Sequence, residues 1–224
     1  MLRRIAERYS RHARLKRAAL LRSELSLEPQ HVVLDLGGGT GEHFHMIWPN
    51  HRNVVVADVS ESDLQTAREK FGYGTTLLGA SERLPFRDRE FDLVFCSSVL
   101  EHATGPKQEM ISLADTAEFE RRAWASQSAF ASEIRRIGKR YWVQTPYRYF
   151  LIESHSWLPG IIIFLPRPLL IRLLKLVGRF WPKKTLPDWN LLTAGQMRKL
   201  FPGARIAAEY SLGMVKSLIA ISIV

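Results

Sequence analysis

The stretch that decides the fold is Val33-Leu34-Asp35-Leu36-Gly37-Gly38-Gly39-Thr40-Gly41, where a short apolar strand runs directly into a glycine-rich turn. Glycine is required where the backbone approaches a ligand, because a Cβ would collide with the ligand or block the turn. Asp58 ends the next apolar run, which spans residues 53–58. A carboxylate at that position can accept the hydroxyl protons of a ribose. Strand, turn, helix and second strand together predict a nucleoside ligand at the carboxyl ends of the strands.

The spacing of the glycines separates two kinds of nucleoside cofactor. The dinucleotide-binding fingerprint is G-x-G-x-x-G/A, whereas the sequence from Gly37 reads G-x-G-x-G and places Glu42 at the position of the last glycine. A close third glycine suits a ligand without a pyrophosphate. The acidic Asp35 before the turn suits a cofactor that carries an ammonium group and a sulfonium. The pattern therefore favours S-adenosylmethionine, and an NAD-dependent oxidoreductase is the least favoured alternative.

Apolar runs of strand type alternate with helical segments along most of the chain, which predicts a Rossmann-like, doubly wound α/β fold with a mostly parallel sheet. Residues 147–190 depart from this alternation and are rich in Pro, Trp and Leu, so we expect a helical insertion after the fifth strand. The predicted strands are 31–36, 53–58, 75–78, 91–96, 140–145, 204–209 and 215–224, the last two joined through Gly213. Ser60 and Thr193 are predicted to cap the helices that follow them. We expect one domain over 1–224, divided into a basic N-terminal helix (1–30), a cofactor-binding core (31–146), an inserted lid or acceptor lobe (147–190) and a final helix with two strands (191–224).

Charge and cysteine content narrow the class of protein without identifying a partner. The formal net charge is +10, and the cations concentrate in residues 3–22 and 167–184. Such charge attracts nucleic acid, anionic lipid or an acidic substrate, and it also fits solvated helix faces. The most apolar stretch, 158–177, is interrupted by prolines and cations, whereas a spanning helix needs about 20 mostly apolar residues. With Cys96 as the single cysteine no disulfide can form within the chain, and we expect a cytoplasmic protein.

Two further blocks of sequence follow the glycine turn in order. The first is Gly79-Ala80-Ser81-Glu82-Arg83-Leu84-Pro85-Phe86, followed by Phe91-Asp92-Leu93-Val94, and the second is Val99-Leu100-Glu101-His102. With the stretch 33–41, they resemble the type-11 branch of class I S-adenosylmethionine-dependent methyltransferases, which includes the ubiquinone and menaquinone methylases. The resemblance spans roughly residues 31–145. Residues 143–150, with Glu153 and His155, are also similar to a subgroup that reads T-P-N-R-x-F-P-x-E-x-H.

The resemblance implies seven strands in the order 3-2-1-4-5-7-6, with the last strand antiparallel, helices on both faces, and S-adenosylmethionine as the cofactor. It also implies that Asp58 holds the ribose and that Ser97 faces the methionine portion of the cofactor. The glycines that would border the methionine and ribose portions are Gly37, Gly39 and Gly41.

The sequence departs from the family at positions that bear on the ligands. Ala80 stands where the family has an aspartate that contacts the adenine amino group, so this contact would fall to the backbone around Ala80 and to Ser81. Tyr147 replaces the asparagine of the subgroup and Leu151 replaces its proline. The acceptor chemistry of the subgroup therefore does not carry over.

Two histidines are candidate catalytic residues. His102 follows the fourth strand and is the first candidate for a general base, with a structural role at a helix start as the alternative. His155, paired with Glu153, is the second candidate and would reach in from the insertion, unless it is a salt-linked structural residue. A Glu-x-His spacing alone does not define a metal site, and no other cluster of histidines or carboxylates stands out in the sequence, so no metal is expected.

We therefore expect an enzyme that transfers a methyl group from S-adenosylmethionine to a small-molecule or lipid-type acceptor. The alternatives are an RNA methyltransferase and a non-catalytic cofactor-binding or membrane-associated protein. A nucleic-acid acceptor is disfavoured because the fourth strand ends in Ser97-Ser98-Val99-Leu100. Enzymes that methylate amino groups of nucleic acids have an Asn/Asp-Pro-Pro-aromatic motif at this position. Residues 156–184 combine aromatic and leucine side chains with cations, so they could cap an apolar acceptor, contact the inner face of a membrane, or pack as ordinary helices. The sequence defines neither the acceptor, nor the methylated atom, nor the oligomeric state.

Overall fold

The computed structural model of the protein describes residues 18–79 and 83–222. Its strands are β1 (Val33–Leu36), β2 (Val54–Asp58), β3 (Gly74–Leu77), β4 (Leu93–Ser97), β5 (Tyr141–Pro146), β6 (Arg205–Ser211) and β7 (Met214–Ile221). Its helices are α1 (18–24), α2 (Glu42–Ile47), α3 (Glu61–Phe71), α4 (Lys107–Ser112), α5 (Thr116–Ile137), α6 (Arg167–Val177) and α7 (Ala194–Leu200), with short 3-10 helices at Leu100–His102 and Gly160–Phe164.

The seven strands have the order β3-β2-β1-β4-β5-β7-β6, which confirms the predicted fold class. The pairs β1–β2, β1–β4 and β2–β3 are parallel, and β6 and β7 pair antiparallel. The chain divides into two compact units: Met1–Ser97 with Arg136–Trp142, and Ser98–Arg135 with Val143–Val224. These bounds differ from the subdivisions expected from the sequence, and the assignment of one domain stays a prediction.

The first unit contains the glycine-rich turn and the strands that lead into it. All four residues of β1 are buried, which explains why three of them are apolar, with Asp35 as the exception. α3 begins after Ser60, whose side chain accepts a hydrogen bond from the backbone N–H of Asp63, and it ends at Gly72 in the left-handed conformation. Ser60 is therefore the helix cap that the sequence predicts. Of the basic helix expected before β1, residues up to 17 lie outside the described part of the chain.

The second unit contains the inserted lobe and the final helix. α6 presents Leu170 and Leu174 to a small apolar core that also includes Trp189, so the lobe has a core of its own. Thr193 and the side chain of Gln196 form a capping box at the start of α7, so Thr193 is the helix cap that the sequence predicts. Within 18–79 and 83–222, no helix is both long enough and apolar enough to cross a bilayer.

Candidate functional site

The glycine-rich turn has a backbone that only glycine adopts readily. Gly37, Gly39 and Gly41 have φ angles of 70°, 54° and 72°, all in the left-handed region that side chains disfavour. The N–H of Gly37 donates to the carbonyl of Ala57 at 2.7 Å, which holds the start of the turn against β2. The turn therefore presents bare backbone at the carboxyl end of β1, as the sequence predicts.

Asp35 lies under this turn as a buried carboxylate with a free acceptor. Its exposure is 2%, and its Oδ2 has no hydrogen-bond partner among the described residues. Burial, with a smaller contribution from the charge of Asp58, raises the pKa of Asp35 to about 7. A Cβ on Gly38 would lie 2.3 Å from that Oδ2, so glycine at position 38 keeps the space over the carboxylate open. Gly38 was not among the predicted site residues, although the unbroken run of three glycines was a signal for it.

Asp58 is the last residue of β2, and its carboxylate connects this strand to the glycine turn. Its Oδ2 accepts from the backbone N–H of Gly39 at 2.8 Å, and its Oδ1 accepts from that of Ser60 at 3.0 Å. Each carboxylate oxygen has a second lone pair, so Asp58 can still accept from ribose hydroxyls. Its predicted role toward the ribose therefore fits the geometry and stays a prediction.

Of the remaining predicted cofactor residues, the structure describes Ser97 but not Ala80 or Ser81. Ser97 is the last residue of β4, half-buried at the same carboxyl edge as β1. Ala80 and Ser81 lie outside the described residues. An unpartnered buried carboxylate oxygen, a left-handed glycine turn and a second carboxylate at the end of β2 together fit S-adenosylmethionine, whose amino group would pair with Asp35.

The second unit brings both candidate histidines into one polar cluster, which we call the His–carboxylate cluster. The rings of His102 and His155 meet edge to face, with centroids 4.7 Å apart. His155 Nδ1 donates to Glu153 Oε1 at 2.7 Å, and its Nε2 lies 3.6 Å from Glu101 Oε1. His102 Nδ1 lies 3.5 Å from Asp188 Oδ1. The five members are Glu101, His102, Glu153, His155 and Asp188.

Charges within the cluster set its protonation. Burial alone would lower the pKa of His155, but the neighbouring carboxylates of Glu101 and Glu153 raise it to about 9. Burial would raise the pKa of Glu153, yet its hydrogen bonds with His155 and Ser156 hold it below its ordinary value. Burial would also raise the pKa of Asp188. The hydrogen bond and charge of His102, with the charge of Lys107, outweigh burial and hold this pKa below its ordinary value.

Sequence reasoning identified His102 and the Glu153–His155 pair but not their association. Glu101 was quoted only as part of a motif, and Asp188 was not considered. Glu101 directly precedes His102, so its nearness could be read from the sequence, whereas Asp188 lies near the end of the lobe, more than eighty positions after His102. The side chain of His102 is 38% exposed, while that of Glu101 is fully buried.

Comparison with known proteins gives a family match in the N-terminal part of the chain. Residues 33–116 match a family model described as a methyltransferase domain. Together with the strand order and the glycine turn, this match supports the resemblance to class I S-adenosylmethionine-dependent methyltransferases and the cofactor expected from the sequence.

The ubiquinone/menaquinone biosynthesis C-methyltransferase UbiE of Vibrio campbellii is 33% identical over 94 residues, which are 38% of this chain and 36% of that protein. The malonyl-[acyl-carrier protein] O-methyltransferase of Marinomonas sp. is 34% identical over 110 residues, which are 46% of this chain and 41% of that protein. The chain thus matches well under half the length of these curated relatives.

Solved structures extend the similarity of fold to nearly the whole chain. The PH0226 protein of Pyrococcus horikoshii aligns with a TM-score of 0.56 at 18% identity, over 96% of this chain and 90% of that one. The magnesium protoporphyrin IX methyltransferase of Synechocystis, solved with bound SAH, aligns with a TM-score of 0.52 at 18% identity, over 95% of this chain and 83% of that one. At these identities the comparison supports the fold alone.

Proposed function

We propose that this protein transfers a methyl group from S-adenosylmethionine to a small-molecule acceptor of lipid type. The observation that carries the proposal is the glycine turn over Asp35, whose buried Oδ2 has no hydrogen-bond partner within residues 18–79 and 83–222. When bound, S-adenosylmethionine supplies a methyl group already activated on a sulfonium. Asp35 would hold the amino group of the cofactor and Asp58 its ribose. The chain's contribution to rate is then mainly positioning and exclusion of water, which can supply roughly 7–11 kcal/mol.

The acceptor side of the proposal rests on the His–carboxylate cluster. With a pKa of about 9, His155 keeps its proton at neutral pH, so it is a poor general base. His102 is more exposed, and Asp188 fixes its ring, so it is the member of the cluster that can contact an acceptor. We propose that an acceptor hydroxyl or acidic carbon meets the cluster at His102.

The surface of the inserted lobe supports a lipid-type acceptor. Ile161, Phe164 and Phe180 are 73%, 66% and 71% exposed, and exposed cations such as Arg172 and Lys175 lie on the same lobe. Aromatic and aliphatic side chains among cations are typical of proteins that rest on an anionic membrane surface. The two curated relatives, one named for ubiquinone and menaquinone biosynthesis and one for malonyl-[acyl-carrier protein], agree with a small-molecule acceptor. We propose the cytoplasmic face of a membrane as the working location.

Labelled methyl transfer in an extract of the source cell tests the acceptor class. The label is expected in the organic phase. Label recovered in RNA, with binding that weakens steeply as salt rises, would instead support the nucleic-acid alternative. Calorimetric titration with S-adenosylhomocysteine tests cofactor binding separately, with NAD as the ligand that should give no heat.

Flotation with vesicles that contain anionic lipid tests the membrane contact. A Phe164→Ser, Phe180→Ser double variant removes two exposed rings, each of which would gain about 1–2 kcal/mol on partial burial. Its partition onto the vesicles is expected to fall at least about thirtyfold. Tyr210→Ser is the matched control, since Tyr210 is 61% exposed but lies on β6 outside the lobe. Equal flotation of all three proteins would contradict the contact.

A further inference from the structure

We propose that Glu101, His102 and His155 bind one divalent cation of the zinc class. Each residue offers one ligand atom, and the three atoms lie within 4.8 Å of one another. In a tetrahedral zinc site with ligands at about 2.1 Å, neighbouring ligand atoms are about 3.4 Å apart. His155 Nε2 and Glu101 Oε1 are separated by 3.6 Å, so these two atoms already have the spacing of two ligands of one ion. The Glu-x-His spacing led us to expect no metal, whereas the arrangement of these three side chains in space provides a reason to propose one.

Glu101 provides a second indication, because one of its carboxylate oxygens lacks a hydrogen-bond donor within the part of the chain that the structure describes. The residue has no exposed surface. Its Oε2 accepts from the hydroxyl of Thr145 at 2.9 Å, whereas its Oε1 has no hydrogen-bond partner among the residues that the structure describes. A buried carboxylate oxygen without a donor is costly and calls for an explanation. A metal ion at the position that Oε1 faces would satisfy it.

Both imidazoles are held in the way that ligating histidines are held. A metal-bound histidine usually gives its second ring nitrogen to a carboxylate, which fixes the ring and its tautomer. Glu153 Oε1 holds Nδ1 of His155 at 2.7 Å, and Asp188 Oδ1 lies 3.5 Å from Nδ1 of His102. Trp189 also stacks on the ring of His155, with centroids 5.4 Å apart. Two oriented imidazoles beside one unpartnered carboxylate make a preorganised ligand set.

The donor set selects the kind of ion. Two imidazole nitrogens and one carboxylate oxygen suit Zn²⁺ or Fe²⁺, whereas Mg²⁺ and Ca²⁺ prefer oxygen ligands. Three protein ligands leave a coordination position open, as in catalytic rather than structural zinc sites. The exposure of His102 gives an ion a route to the site. Resting on the proposed function, the open position would take an oxygen of the acceptor and lower the pKa of that oxygen. His102 would then be a ligand and not a base.

Metal binding can be measured on the full chain without cofactor or acceptor, so its outcome is independent of methyl transfer. Untagged protein is stripped with a chelator and then brought to equilibrium with Zn²⁺ by dialysis. We expect one bound Zn²⁺ per chain, no comparable uptake of Mg²⁺, and visible absorption bands of a low-symmetry site when Co²⁺ is used instead.

Variants assign the bound ion to the cluster. Glu101→Gln and His102→Asn are each expected to abolish stoichiometric binding. Glu153→Gln changes the residue that holds the outer nitrogen of His155 and leaves the three ligands in place, so it is expected to weaken binding about 10- to 100-fold. His45→Asn is the matched control, because His45 lies in the first unit against Phe71 and Tyr73, and it should bind zinc as the parent does. Thermal unfolding in chelator shows whether each variant folds, and the half-exposed His102 keeps the test usable if Glu101→Gln does not.

Three results would overturn the proposal. They are less than one zinc per chain at saturation, retention of zinc by the Glu101 and His102 variants at the level of the parent protein, and loss of zinc in the His45 control. Each would show that the cluster is not the site that binds the ion.

Discussion

Replacing Asp35 with asparagine separates the stability of the protein from its ability to bind cofactor. Asp35 is buried, its Oδ2 has no hydrogen-bond partner among the described residues, and burial with the charge of Asp58 raises its pKa from 3.8 to about 7. The native protein therefore holds a proton between these pH values that the unfolded chain has released. The free energy of unfolding accordingly falls as pH rises through this window, and the penalty is complete above about pH 7.

The size of the effect follows from the same values. Each pKa unit corresponds to about 1.4 kcal/mol, so the ionised Asp35 costs the ligand-free protein up to about 4 kcal/mol at pH 8. Asp35→Asn removes this cost and should raise the free energy of unfolding by an amount of that order at pH 8, with almost no gain at pH 4. The same change removes a charged partner of the cofactor's amino group, worth about 1.5–3 kcal/mol, so binding should weaken about 10- to 150-fold.

Urea unfolding at several pH values and calorimetry with S-adenosylhomocysteine measure the two effects. In the parent protein, affinity for S-adenosylhomocysteine should rise with pH up to about 7, because a nearby cation favours the ionised carboxylate. In the variant this dependence should be absent. Asp92→Asn is the control of opposite sign, since the hydrogen bond and charge of Lys139 hold the pKa of Asp92 below its ordinary value. That variant should be less stable at pH 8 and bind the ligand normally.

The reasoning fails if Asp35→Asn is less stable than the parent at pH 8 while Asp92→Asn is not. It also fails if the variant binds S-adenosylhomocysteine as tightly as the parent, because Asp35 would then not contact the amino group.

Other predictions concern the space over this carboxylate and the interior of the second unit. Gly38→Ala puts a methyl group 2.3 Å from Asp35 Oδ2 and should weaken S-adenosylhomocysteine binding more than tenfold by calorimetry. Gly195→Ala, whose Cβ would have no neighbour closer than 3.9 Å, should leave binding unchanged and add up to about 1 kcal/mol of stability; equal binding by both variants would contradict the steric argument. Arg167→Lys removes a guanidinium that donates to three backbone carbonyls and lies 3.5 Å from the ring centre of Phe119. Urea unfolding should therefore show that the free energy of unfolding falls by about 2–4 kcal/mol. A decrease below about 1 kcal/mol would refute this role.

Local signals in the sequence predicted the glycine turn and two helix starts correctly. The apolar run into the glycine turn, the Ser60 cap and the Thr193 cap depend on residues close together in the chain, and the structure confirms each of them. Boundaries moved by one to a few residues where no capping residue marks the end, as for β3. The short helix α4 was missed because it covers six residues and has no side-chain cap.

The His–carboxylate cluster could not be predicted from local signals in the sequence. Each histidine was visible as a polar residue in a recognisable motif, but their edge-to-face contact joins segments separated by more than fifty positions in the chain. Neither hydrophobic periodicity nor capping reports contacts of that kind. Asp188 illustrates the same point, because nothing in its neighbourhood in the sequence distinguishes it from a solvated aspartate.

The bonds around Glu153 bear on how chains of this architecture diversify. One oxygen of its carboxylate accepts from the backbone and ring of His155, and the other accepts from the backbone and hydroxyl of Ser156. The bend that orients His155 is thus tied together by neighbours in the chain, before the outer surface at 161–180 begins. Mutations on that surface can accumulate, or a whole replacement segment be exchanged, while the imidazole keeps its direction. A new acceptor or docking surface can therefore be acquired without rebuilding the reactive groups.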